Sequence, residues 1–215
     1  MKIDILCSDP NHPIVSHILT WIAEQPSHQK INLLHSVKLA NGGDFLFLVS
    51  CSEIISKSSI GKYKHALVLH AGDLPNGRGW SPHIWDLVEG QTHITLSLIE
   101  ADEKIDCGNI WNKKRVCIPK HFLWHEINAE LFEAEIEMIK WAINNSKKVR
   151  PTVQDKSLQA TYRRKRKASD SEIDVNKTIA EQFDLMRVSD PSRYPAYFAI
   201  AGERFKLILE RFDAE

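Results

Sequence analysis

Phe45-Leu46-Phe47-Leu48-Val49 is an apolar run with no polar residue at alternate positions. That is the pattern of a strand covered on both faces, not of one with a wet side. Such a strand belongs inside a sheet with helices packed above and below it. Other strand-length apolar runs lie around it, so that strands are expected at 3–7, 45–50, 66–70 and 94–99. Between them, Ile14-Val15, Ile18-Leu19 and Ile22 recur at helical spacing after the Ser8-Asp9-Pro10 turn, and a second short helix opens on Pro82 and runs to Val88. Strand followed by helix, repeated, predicts an α/β, Rossmann-like domain with a mostly parallel sheet.

Further along, Ile127, Leu131, Ile136, Ile139 and Ala142-Ile143 predict one long amphipathic helix ending near Asn144-Asn145-Ser146. A boundary is expected there, dividing an α/β domain at 1–146 from a C-terminal extension at 147–215. Residues 147–178 hold Pro151, few large apolar residues and the run Arg163-Arg164-Lys165-Arg166-Lys167, and are expected to be extended and largely solvent-facing. Residues 174–187 then predict a helix with Ile179, Phe183 and Met186 on one face. Residues 197–200 and 204–209, joined by Ala201-Gly202-Glu203, predict a β-hairpin. An exposed strand edge invites pairing, which leaves a homodimer contact open.

At 215 residues the chain suits one sizeable domain with a small appendage. Its 43% hydrophobic and 26% charged residues exclude a disordered or fibrous chain. Lys+Arg and Asp+Glu are both 28, and this balance argues against nucleic acid or a membrane surface as the main partner. No secretory pattern opens the chain, and the apolar runs fall well short of the roughly 20 residues a membrane span needs, so a cytoplasmic protein is expected. Cys7, Cys51, Cys107 and Cys117 form no Cys-x-x-Cys pair and are read as reduced thiols. His121 and His125 have i,i+4 spacing but lie close behind Pro119 with no evident third ligand, so no metal is expected.

In an open α/β sheet, ligands bind beyond the carboxyl ends of the strands, which points to the loops at 8–13, 51–53, 71–80 and 100–108. The most unusual stretch is Val68-Leu69-His70-Ala71-Gly72-Asp73-Leu74-Pro75-Asn76-Gly77-Arg78-Gly79-Trp80-Ser81-Pro82, where a strand delivers a histidine to a Pro/Gly-rich loop. A second loop, after the strand at 94–99, is acidic and ends in Asp106-Cys107-Gly108. The two loops can meet if their strands are neighbours.

These residues resemble the formyltransferases that use N10-formyltetrahydrofolate. The matching elements are His-x-x-x-Leu-Pro at His70 to Pro75, Arg78-Gly79, the helix carrying Trp85 that ends at Glu89-Gly90, and Ile105-Asp106-Cys107-Gly108. The Gly-Arg-Gly-Trp-Ser-Pro form is most similar to bacterial sugar N-formyltransferases acting on nucleotide-linked 4-amino sugars, including those of pseudaminic acid and surface-glycan biosynthesis. Ile173-Asp174-x-Asn176-Lys177 and Arg193-Tyr194-Pro195-Ala196 resemble that subgroup's C-terminal extension.

The resemblance implies transfer of a formyl group from N10-formyltetrahydrofolate to the primary amine of a nucleotide-linked amino sugar, without a metal. Such a step needs a neutral amine, a place for its proton, and stabilisation of a tetrahedral oxyanion. The resemblance assigns His70 to proton transfer and Asp106 to orienting it, the folate to backbone groups at Ser50, Cys51, Ser52, Glu100 and Asp102, and the acceptor to Arg78, Gly79, Trp80 and Tyr194. One departure stands out: the family carries an asparagine two residues before the histidine, a donor to the formyl oxygen, and this chain has Val68. Asn76 is the nearest amide by sequence, and nothing in the sequence places it in that role.

Plainer readings stand beside these. A strand-end His is often structural, Asp before an Asp-x-Gly turn often caps the turn, and Trp80 and Trp85 are most simply packing residues. The basic run reads as a solvated stretch, as phosphate attraction towards a nucleotide-sugar, or as a nucleic-acid contact. The alternatives in function are formylation of methionyl-tRNA or glycinamide ribonucleotide, or a non-catalytic folate- or nucleotide-sugar-binding protein. The short helix-and-hairpin tail is expected to set the chain apart from the tRNA enzymes and their larger C-terminal domain.

Overall fold

The computed structural model describes residues 1–212. In chain order its elements are β1 (Lys2–Leu6), α1 (Ile14–Ala23), β2 (Lys30–Leu34), β3 (Gly43–Val49), α2 (Lys57–Ile60), β4 (Tyr63–His70), β5 (Arg78–Gly79), α3 (Pro82–Val88), β6 (His93–Glu100), β7 (Ile110–Cys117), α4 (Trp124–Asn145), β8 (Tyr162–Arg163), α5 (Ile179–Arg187), β9 (Ala196–Ile200) and β10 (Glu203–Leu207). Six strands form the central sheet in the order β2-β1-β3-β4-β6-β7. The first four are parallel, β6 runs antiparallel to β4, and β7 antiparallel to β6. The architecture is thus mixed α/β with a mostly parallel sheet, carrying a short helix and a hairpin at its C-terminal end.

The apolar run at 45–49 sits in β3, third in the order, and its two faces feed two cores. Phe45, Phe47 and Val49, with Ile3, Ile5, Leu67 and Leu69, pack under α1 and α4. Leu46 and Leu48, with Leu6, Ala66 and Val68, form a smaller cluster closed by Ile55 and Ala101. In α1, Ile14, Ile18 and Trp21 are buried at helical spacing, and His12 Nδ1 accepts the Ile14 N–H at 3.3 Å in place of a side-chain cap from Pro13. In α4, Ile127, Leu131, Met138, Ile139 and Ala142 form the buried face. Each such side chain contributes about 1.5–3 kcal/mol by leaving water.

Three features depart from the sequence reading. Strands β2 and β7 were not anticipated. Both are edge strands, and β7 carries Lys113-Lys114-Arg115 through its middle, so neither shows an apolar run. The second departure is α5, which begins at Ile179 instead of 174. Thr178 Oγ1 accepts the Glu181 N–H at 3.3 Å and Glu181 Oε2 accepts the Thr178 N–H at 2.8 Å. This reciprocal cap fixes the helix start, while Asp174 turns the chain ahead of it by accepting the Asn176 N–H.

The third departure is the buried face of α5. Ile179 is 74% exposed, and the residues turned inward are Gln182, Met186 and Arg187. Arg187 is fully buried, with Nε donating to Asp184 at 2.7 Å and Nη1 reaching the carbonyls of Pro119 and Phe122. A guanidinium that reaches main-chain carbonyls of the segment before α4 turns the helix away from the face its apolar residues alone would choose.

The hairpin forms as expected, with Ala201 and Gly202 both at positive φ (53° and 82°), the geometry a two-residue hairpin turn requires. Among the described residues all four cysteines are free, and burial pushes the Cys7 thiol up to about 11. No helix among them is long and apolar enough to cross a membrane.

Candidate active site

Strand β4 ends at His70, whose side chain is 8% exposed. Its Nε2 donates to the Gly77 carbonyl at 2.7 Å; a carbonyl only accepts, so this nitrogen carries a proton. Its Nδ1 lies 3.4 Å from Asp106 Oδ1, and the Asp106 side chain is equally buried. The other carboxylate oxygen of Asp106 accepts the Gly79 N–H at 2.8 Å. One carboxylate therefore ties the histidine to the backbone of the loop that follows it.

The route by which Asp106 arrives differs from a simple strand-end loop. Because β6 is antiparallel to β4, His70 pairs with Ser97 and Glu100 pairs with Leu67, so β6 ends level with the middle of β4. Residues 101–108 therefore come back towards His70, with Ala101 packed on the cluster that holds Val68. Asp106 adopts a left-handed φ of 56°, which Asp tolerates better than most residues. Gly108 passes so close to the Glu100 carbonyl that a Cβ there would lie 1.8 Å from the oxygen.

The 72–79 loop is held from both sides. From the sheet, Ser97 Oγ donates to Gly72 O at 2.7 Å, and Lys113 Nζ reaches Asp73 and Leu74 O, both at 2.6 Å. From the C-terminal extension, Thr161 Oγ1 accepts the Gly77 N–H at 2.7 Å, and β8 pairs with β5. A Cβ at Gly72 would stand 2.4 Å from Gly77 O and 2.7 Å from His70 Nε2, breaking the loop's contact with the histidine. Gly72→Ala is expected to cost about 1–3 kcal/mol as an overpacked site and to lower turnover more than it lowers Tm. Paired melting and rate measurements check this.

Two further imidazoles are held neutral, His83 near His70 and His12 near His83. The buried Nδ1 of His83 has no hydrogen-bond partner, and burial pushes this ring down to about 3, helped by the nearby His70 and His12. Burial, then the Arg193 charge, pushes His12 down to about 4. The sequence reading singled out neither, since a histidine in a short helix or a turn carries no signal without its neighbours.

The remaining candidates fall at several places. Ser50, Cys51 and Ser52 lie beyond β3, with Cys51 against the Val68 cluster and the Ser52 N–H donating to Ser8 Oγ at 2.9 Å. The Glu100 carboxylate accepts from Asn109 Nδ2 at 2.8 Å and Trp111 Nε1 at 3.3 Å, which leaves its backbone as the part that borders the loop. Asp102 is exposed and accepts from the Lys104 N–H. Arg78 and Gly79 flank Asp106, and Lys165 Nζ lies 4.8 Å over the ring of Trp80. Tyr194 is 59% exposed and follows Arg193, which pairs with Asp9 at 2.6 Å. That ties the segment carrying Tyr194 to the loop after β1, two strands from β4 in the sheet order. Asn76 is exposed.

The basic run is largely paired within the chain. Arg163 bridges Glu89 and Asp86, Arg164 holds Asp170 through two bonds of 2.6 and 2.7 Å, and Arg166 donates to Asp170 O. Arg164 and Arg166 also lie over the Trp85 ring. Segment 147–178 is mostly exposed and extended, as expected, yet Gln154 and Ser171 within it are buried. Among the described residues no three His, Cys, Asp or Glu side chains gather as metal ligands.

Residues 9–143 match the model of a protein family described as formyl transferase. A methionyl-tRNA formyltransferase of Thermodesulfovibrio yellowstonii is 28% identical over 86% of this chain, and the chain spans 60% of that relative's length. A 4-N formyltransferase structure from Francisella tularensis superposes with a TM-score of 0.76 at 18% identity, covering 99% of this chain and 98% of that one. HypX from Aquifex aeolicus, in complex with tetrahydrofolic acid, superposes with a TM-score of 0.77 at 19% identity, covering 95% of this chain and 36% of that one.

Proposed function

This chain belongs to the formyl transferase family, and we propose that it is a cytosolic enzyme transferring a formyl group from N10-formyltetrahydrofolate to the primary amine of a nucleotide-linked amino sugar. The observation that carries the transfer is the buried pair of His70 Nδ1 and Asp106 Oδ1 at 3.4 Å, beside an imidazole N–H whose present acceptor is a loop carbonyl.

The amine forms a bond to the formyl carbon, the bond from that carbon to N10 breaks, and one proton passes from the amine to the departing nitrogen. Negative charge grows on the formyl oxygen on the way. His70 Nε2–H is a donor already held in place, and exchanging the Gly77 carbonyl for the formyl oxygen puts it where that charge develops. Asp106 holds the ring in place. On this reading His70 supplies the hydrogen bond that Val68 does not. Cys51 and Ala101 flank the apolar surface at Val68, a floor suited to a flat heterocycle, with the backbone at 50–52 within reach of its polar edge.

Val68→Asn tests that substitution of roles. An enzyme using His70 as donor gains little turnover from the new amide, which also places a polar group in an apolar cluster. A gain of about 10²–10³ would show that the oxyanion lacks a donor in the wild type.

An amino sugar is favoured over methionyl-tRNA because Arg163, Arg164 and Arg166 are committed to Asp86, Glu89 and Asp170 rather than free for phosphates. The deciding experiment offers N10-formyltetrahydrofolate with UDP-, dTDP- and GDP-linked amino sugars, and with methionyl-tRNA and glycinamide ribonucleotide as competing acceptors. Turnover of one sugar class, lost in His70→Ala, supports the reading. Turnover of the tRNA alone overturns the acceptor, and folate binding without turnover of any acceptor overturns the enzyme.

A further inference from the structure

Gln154 lies beyond the family match, in a polar stretch of the extension, and is only 6% exposed. Its side-chain amide is fully committed. Nε2 donates to the Asp106 carbonyl at 2.8 Å and to the Gly108 carbonyl at 2.9 Å, and Oε1 accepts from Arg78 Nη2 at 2.7 Å. These partners fix the amide's orientation, since two carbonyls demand the nitrogen and a guanidinium demands the oxygen.

The three partners belong to the two loops that make the site. Asp106 and Gly108 bracket the turn that presents the carboxylate to His70, and Arg78 adjoins Gly79, whose N–H holds the other carboxylate oxygen. Arg78 keeps a buried Nε with no hydrogen-bond partner. With one edge of its guanidinium fixed by Gln154, it retains donors for an anionic acceptor. We propose that Gln154 is a positioning residue that sets Asp106 and Arg78 in one frame, so that the acceptor's anchor and the His70–Asp106 pair keep a fixed relation. The inference rests on the reading of His70 and Asp106 as catalytic.

Two variants separate its two sides in the full-length chain. Gln154→Met fills the same space and removes all three bonds. Gln154→Glu keeps an oxygen for Arg78 and loses both donors to the 106–108 turn. The first readout needs no acceptor: nitrogen resonances of the histidine rings in labelled protein, with His70 identified by its loss in His70→Asn. The groups facing His70 are Asp106, His83 and the Gly77 carbonyl. Both variants are expected to shift the His70 resonances while those of distant histidines, such as His28, stay in place.

In the acceptor assay both variants lower kcat by about 10²-fold, the loss that follows a misplacement of about 1 Å. Gln154→Met also raises the acceptor KM, whereas Gln154→Glu leaves it near the wild-type value. Unmoved His70 resonances in a folded variant overturn the inference, as does a fall in Tm with resonances and kcat unchanged. Full turnover in His70→Asn would instead sink the catalytic reading on which it rests, whatever the Gln154 variants do.

Discussion

His70→Ala lowers kcat for formyl transfer by about 10²–10⁴-fold, the range lost when a positioned proton-transfer group or an oxyanion donor is removed. The upper part of that range is expected because, among the described residues, no second donor to the formyl oxygen stands beside this ring. Val68 leaves no amide two residues upstream, and Asn76 is exposed in the loop. The substitution also leaves a buried space between Asp106 and the Gly77 carbonyl, so a neutral filler is needed beside it. His70→Asn supplies an amide at the place of Nδ1 that can still meet the Asp106 carboxylate, and it is expected to keep Tm near that of the wild type while kcat stays low. Asp106→Asn retains an oxygen for the Gly79 N–H and removes only the charge, so its loss should be smaller than that of His70→Ala. Steady-state rates and melting curves on the three variants check this order. A His70→Asn enzyme with wild-type kcat would mean that the chemistry lies elsewhere.

The difference between what the chain disclosed beforehand and what it did not follows from how each residue is partnered. Phe45–Val49 was legible because burial on both faces leaves no polar position. Strand β7 was hidden because Lys114 pairs with Glu137 of α4 and Lys113 reaches the 72–79 loop, so its charges are structural but read as surface. An apolar run also has no direction: Ile94 to Ile99 announced a strand but not that it would run antiparallel to β4, and that reversal makes the 101–108 segment return to His70.

Among the candidate site residues, His70 and Asp106 stand together through a resemblance that names them both, since spacing alone cannot say that two loops meet. Gln154 had no signal at all, because one glutamine in a polar stretch becomes informative only when its three partners are seen. The basic run announced itself as a cluster of charge, whereas Asp86 and Glu89, which answer Arg163, lie too far along the chain to be paired with it in advance.

Glu135 predicts the largest stability effect. It lies on the buried face of α4, 4% exposed, with Oε2 lacking any hydrogen-bond partner. Burial alone pushes its carboxyl from the usual value of 4.5 up to about 8. The folded chain therefore holds a proton that the unfolded chain releases, and the sign of the linkage follows. Below pH 4.5 both states are protonated and the group adds no pH dependence. Between about pH 4.5 and 8 stability falls by roughly 1.4 kcal/mol per pH unit, and above 8 the full penalty is in place. Across that window the loss amounts to roughly 3–5 kcal/mol.

Glu135→Gln keeps the shape and removes the ionisation. Its own amide still lacks a partner, so at pH 5 the variant is expected to match or fall slightly below the wild type. By pH 8 it should be more stable by several kcal/mol, because only the wild type then faces a buried charge or the cost of holding a proton against the solvent. Urea unfolding at pH 5, 6, 7 and 8 measures the divergence. Parallel stability curves would mean that the carboxyl finds water or a partner in solution.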